Sequence, residues 1–120
     1  MKRMVAFLLT TLLLVFALAG CSNTSKLDPK NPVTLTMWHN YGGDMQQTMD
    51  LLIDEFNATV GKEKGIVVVA ESKSSIGDLQ EAVTAAVEKR VGAEAIPSIF
   101  QCYQDVAVTL DEQDVLVNLD

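Results

Sequence analysis

Trp38, His39, Asn40, Tyr41, Ser74, Ser75, Tyr103, Gln104 and Asp105 are the residues of this chain whose types and spacing could do chemistry together. Indole and phenol rings stack on the apolar faces of sugar rings, while amides, hydroxyls and a carboxylate bond hydroxyl groups. Ser74 and Ser75 stand just ahead of a helical pattern, where free N–H groups and the helix dipole favour an anion or a polar ligand. This is a set for recognition. No nucleophile stands beside a base, one histidine with no cysteine cluster leaves zinc unsupported, and Gly42-Gly43 is too short for a phosphate-binding loop. No catalytic residue, metal or cofactor is expected, and the chain does not read as an enzyme.

Each of these residues also has a structural role open to it. Trp38 and Tyr41 either touch a ligand or plug the end of a strand. His39, next to Trp38, reads as a turn or surface residue. Ser75 and Asp105 are placed as helix caps, with ligand contact as a second role. Cys102 lies in the apolar run Ile99-Phe100-Gln101-Cys102-Tyr103 and reads as a small buried hydrophobe.

The elements that must position the set follow from periodicity and punctuation. Val33 to Trp38 is β-rich and follows Pro32, predicting a first strand. Asp44 and Gln47 have capping-box spacing, and Met45, Met49, Leu52, Ile53, Phe56 and Val60 form a helical core stripe ending at Gly61. Ile66 to Ala70 is a continuous apolar run of the kind buried on both faces of a sheet. Ser75 and Asp78 open a second helix, with Ile76, Leu79, Val83, Ala86, Val87 and Val91 as its stripe up to Gly92. Pro97 leads into a third strand, Ser98 to Cys102. Asp105 caps a short helix to about Leu110, and an apolar segment runs from Val115 to Leu119.

The order β-α-β-α-β-α predicts an α/β fold with a parallel sheet in strand order 2-1-3. In such sheets ligands bind beyond the carboxyl ends of the strands, near the switch point. Three loops lie there: Trp38 to Asp44, Ser72 to Ser75, and Tyr103 to Asp105.

The N-terminus says where the chain works. Met1-Lys2-Arg3 is followed by an almost wholly apolar stretch from Met4 to Ala19, then Gly20 and Cys21. Charged start, apolar middle and small-residue end are the layout of a secretory signal. The apolar stretch is 16 residues, short of the roughly 20 needed to span a bilayer. Leu18-Ala19-Gly20-Cys21 resembles a bacterial lipobox, which implies lipidation of Cys21 and cleavage before it. The expected organisation is a signal peptide over 1–20, a lipidated tether over 21–32 and a folded part over 33–120. That places the product at the cell membrane, lipid-anchored on the extracytoplasmic face. Net charge is −7, and loss of Lys2 and Arg3 takes the mature part to −9. An acidic surface repels phosphate backbones, so nucleic acid is not an expected partner.

Beyond the lipobox, the tether followed by VTLTMWHNYGG, the helix ending Asp54-Glu55-Phe56-Asn57 and the strand Gly65-Ile66-Val67-Val68-Val69 resemble the extracellular solute-binding proteins of ABC transporters, family 1. So do Asp78-Leu79, Pro97-Ser98-Ile99-Phe100 and the closing Leu116-Val117-Asn118-Leu119-Asp120. The likeness covers residues 33–120. It implies a partial periplasmic-binding-protein-like lobe, the N-terminal half of lobe I, that binds a small-molecule solute and delivers it to ABC permease subunits. Trp38-His39, Phe56-Asn57 and Pro97-x-Ile99-x-Gln101-x-Tyr103 look most like the glycerol-3-phosphate-binding branch. Gln104 stands where that branch has a glutamate, and Ser75-Ile76 where it has a tyrosine. A sugar and a glycerol-phosphate-like solute therefore both stay open. The alternative is a truncated relic or interaction module with no ligand binding of its own, whose uncovered sheet edge and helix faces would favour self-association.

Overall fold

The computed structural model describes residues 27–119. The expected signal peptide over 1–20 and the lipidation site at Cys21 lie outside them. Among the described residues no helix is long and apolar enough to cross a membrane. The chain forms β1 (Val33–His39), α1 (Gly43–Phe56), β2 (Ile66–Ser72), α2 (Ile76–Val87), β3 (Ile99–Phe100) and α3 (Gln104–Asp111). The fold is α/β, with a three-stranded sheet in the order β2-β1-β3 and both pairings parallel, as the alternation predicts. Seven residues of β1 pair in register with β2, from Val33↔Ile66 to His39↔Ser72, whereas β3 meets β1 only at Met37↔Ile99 and Trp38↔Phe100.

One side of the sheet holds the core. Leu79, Val83 and Ala86 of α2 pack with Trp38 of β1 and Leu110 of α3, and Ile76, Phe100, Val106 and Leu116 close around them. These are the stripe residues expected of the second helix, and spacing at i, i+4 and i+7 lays them on one face. The helix stops at Val87, short of the expected Gly92. Lys89 and Gly92 take left-handed backbone and turn the chain away, leaving Val91 fully exposed. Ser75 is the N-cap as expected: its Oγ accepts the Asp78 N–H (3.1 Å) and donates to the Asp78 carboxylate (2.6 Å).

The other side is thinly covered. α1 lies chiefly against β2, and none of its residues is buried. Met45 and Leu52, expected in a core stripe, are each 61% exposed. The run Ile66 to Ala70, expected to be buried on both faces, is half-buried with Val69 exposed, because β2 is an edge strand covered, among the described residues, chiefly by α1 and its π-turn extension. Asp44 does not cap α1. Gly42 occupies that position without a side-chain bond, and Asp44 sits in the first turn, where its charge complements the helix dipole. Likewise Tyr103, not Asp105, is the N-cap of α3.

After Phe56 the helix widens into a π-turn, Asn57–Gly61, and closes with Lys62–Lys64. Gly65 then reverses the chain at φ 75° with its Cα against the backbone of Asp28 and Pro29, a site where a Cβ would collide. The end of the expected flexible tether is therefore structured. The Asp28 carboxylate accepts the Lys30 N–H (2.9 Å) and the Asn31 amide (2.8 Å), bonds that hold its pKa below the usual value, and the Val33 N–H reaches Gly65 O (2.9 Å).

Candidate functional site

Because all three strands are parallel, their carboxyl ends form one rim, and the three loops of interest lie along it. Backbone and side chain knit these loops to each other. The Gln101 Oε1 accepts the Asn40 N–H (3.0 Å), tying the third loop to the first. The Ser72 Oγ donates to Tyr41 O (2.6 Å) and the Lys73 N–H to His39 O (2.8 Å), tying the second loop to the first. Gln101 and Ser72 are outside the expected recognition set. Polar residues closing otherwise apolar strands were their signal.

His39 is not a surface residue. It ends β1 at 1% exposure, its ring stacks on Tyr41 with centroids 5.4 Å apart, and its Nδ1 accepts the Tyr41 N–H (3.2 Å). A nitrogen that accepts a backbone N–H carries no proton, so the imidazole here fixes the course of the loop. Trp38 is 4% exposed, and the Lys73 ammonium lies 4.1 Å from its ring centroid. Lys73 in turn bonds Glu71 Oε1 (2.6 Å) and Glu94 Oε1 (2.7 Å), with its side chain 10% exposed. Burial works against its charge, but the bonds to the two carboxylates outweigh burial and hold its pKa above the usual lysine value. A ligand reaching Trp38 would first have to displace Lys73.

The remaining residues of the set are spread along the rim. Tyr41 lines a groove of about 320 Å³ with Asp44, Met45, Thr48, Met49 and Leu52. Tyr103, Gln104 and Asp105 line a separate depression with Val108. The two share no residue. Ser74 and Ser75 are exposed between them in sequence; Ser74 is held in left-handed backbone at φ 65°, and Ser75 is occupied as a cap. Each helix carries one acid in its first turn at this rim: Asp44, Asp78 and Asp105. With the Lys73 ammonium paired, the charge offered to a ligand here is negative.

The hydroxyls and the imidazole do not form a reactive pair. Ser75 bonds Asp78, Ser72 bonds a carbonyl, and the imidazole bonds a backbone N–H. Among the described residues no group of three or more His, Cys, Asp or Glu could hold a metal ion. Cys102, expected to be buried, is half-buried beside the open edge of the sheet. Comparison of the chain with protein-family models, with curated proteins and with solved structures finds no match.

Proposed function

We propose that this chain is a lipid-anchored extracytoplasmic solute-binding protein, or the N-terminal part of one, serving an ABC importer without chemistry of its own. The observation that carries the proposal is the rim. Tyr41 stands at the carboxyl end of β1, and Tyr103, Gln104 and Asp105 beyond that of β3, on the rim where an open parallel α/β sheet binds its ligands. Rings, amides and carboxylates suit a polyhydroxyl solute. Of the two open classes, the uncharged sugar fits better than the glycerol phosphate, because Asp44, Asp78 and Asp105 flank the rim and the Lys73 ammonium is already engaged. The anchor rests on Leu18-Ala19-Gly20-Cys21, which resembles a lipobox.

Two measurements test this. Metabolic palmitate labelling should mark the wild-type chain and not Cys21→Ser. Calorimetric titration with maltose-type oligosaccharides, glycerol-3-phosphate and glycerophosphodiesters should give heat with the oligosaccharides. Heat with none of them, from a chain shown to be folded, would sink the binding role. A second reading, an interaction module with no ligand of its own, draws on the separation of the two depressions and on the cover over Trp38. A shallow wall leaves much of a small ligand in water and binds it weakly.

A further inference from the structure

Trp38, Glu71 and Glu94 come from three parts of the chain and meet around one cation. Trp38 and Glu71 are partners across the β1–β2 pairing, which sets them on the same face of the sheet. Glu94 belongs to the connection between α2 and β3. The Lys73 ammonium sits over the Trp38 ring, 4.1 Å from its centroid, 2.6 Å from Glu71 Oε1 and 2.7 Å from Glu94 Oε1. An aromatic face with carboxylates at its margin is the chemistry that recognises organic ammonium ions. It does not suit a metal ion, to which a ring offers no lone pair.

We infer that Trp38, Glu71 and Glu94 form a binding site for a primary alkylammonium ion, kept closed by the chain's own Lys73. Two observations set this seat apart from a fixed core contact. The Lys73 backbone is tied independently of its side chain, its N–H bonding His39 O (2.8 Å) and its C=O accepting the Ser75 N–H (2.7 Å). The flexible four-carbon stem can therefore swing out while the strand end stays in place. The Glu71 and Glu94 side chains are 53% and 59% exposed and meet an incoming cation from water, whereas the ring, at 4%, is reached only when Lys73 leaves. A net charge of −7 draws cations to the surface. Lys73 competes with them as a tethered ligand, at an effective concentration on the order of millimolar, and so shuts the site against dilute amines. None of the four residues lines the Tyr41 groove or the Tyr103 depression, so the inference stands whether or not a sugar binds there.

Chemical rescue of the full 120-residue chain in detergent tests the inference. Lys73→Ala deletes a fragment the size of propylammonium, which is the probe. This variant should unfold at a lower temperature and expose Trp38, the single tryptophan of the chain, to acrylamide quenching. Propylammonium chloride should reverse at least about half of both changes, saturably, with half its effect reached at about 10 mM. Sodium chloride at equal ionic strength should reverse neither. The wild type, and Lys73→Met, whose apolar stem still covers the ring, should show no response at that concentration. If Lys73→Ala is unfolded alone, propylammonium should restore its circular dichroism, and failure to restore it overturns the inference. The inference also fails if propylammonium does no more than sodium chloride for a folded Lys73→Ala. An equal effect on Lys73→Met would sink it too, since the ion would then act elsewhere on the chain.

Discussion

α1 and α2 have much the same sequence design and opposite fates. Each carries an apolar stripe at helical spacing and lies against one strand of the same sheet. Yet α2 buries Leu79, Val83 and Ala86, while α1 buries nothing. The difference lies in what stands behind each stripe. α2 faces the central strand and is backed by α3 and the segment around Leu116, so its stripe is enclosed on several sides. α1 faces an edge strand and, among the described residues, has no second helix packed beside it. A stripe states that a helix has an inner face, and the neighbours decide whether that face is dry.

The largest test of this contrast is a pair of identical truncations. Leu79→Ala, at 0% exposure, should destabilise the chain by about 2–5 kcal/mol, whereas Leu52→Ala, at 61% exposure, should change it by less than about 1 kcal/mol. Urea unfolding midpoints measure both. Equal losses would show that α1 has cover in solution, and the comparison would collapse.

Next in size is Asn57→Ala. It removes both bonds to Val68 and should lower stability by about 1–3 kcal/mol. It also uncovers the N–H and C=O of Val68 on the β2 edge, so larger species should appear in sedimentation. Loss of stability without larger species would mean that the amide serves the fold of α1 alone.

Smaller is the contrast between helix starts. Ser75→Ala should lower stability by about 1 kcal/mol, because a cap bond to Asp78 is lost. Asp44→Ala should lower it by no more than about 0.5 kcal/mol, a dipole effect with no bond behind it. If the two losses are equal in thermal unfolding, the assigned difference in capping is wrong.

The smallest effect is an alkaline slope from Lys73. Its folded pKa is raised, so the folded state holds its proton more tightly. That contribution is complete below the ordinary lysine value of 10.5 and is lost as pH rises through the folded value. Lys73→Met should flatten this part of the stability curve. An unchanged slope would assign it to other groups.

Much of the architecture was legible in local pattern. Alternating strand and helix signals, the Ser75–Asp78 spacing and the economy of two crossovers suffice for element order, one cap and strand order 2-1-3. What local pattern did not reveal depends on contacts across long loops. Trp38 is covered by a lysine 35 positions on, whose own partner Glu94 lies 21 further still. Asn57 sits in a helical run, and only the fold shows that it completes a sheet edge. His39 is buried because loop and strand meet around it. Asp44 and Asp105 have the residue type of a cap, but in both helices the N-cap lies two residues earlier, at Gly42 and Tyr103. At the rim, strand order alone brings the three loops to one edge, and it does not show that their side chains line two depressions.

The turn at Asp28–Asn31 and the tight approach of Gly65 have a mechanical consequence. They clamp the incoming chain to the amino end of a parallel sheet, and β1 runs seven residues from there to the rim, roughly 23 Å away. Any pull applied upstream of Leu27 is delivered to the foot of the domain, along the axis of its central strand. A molecule moored by that end presents its loops outward, like a post with its head clear of the ground, and a collar at its base limits how far it can lean.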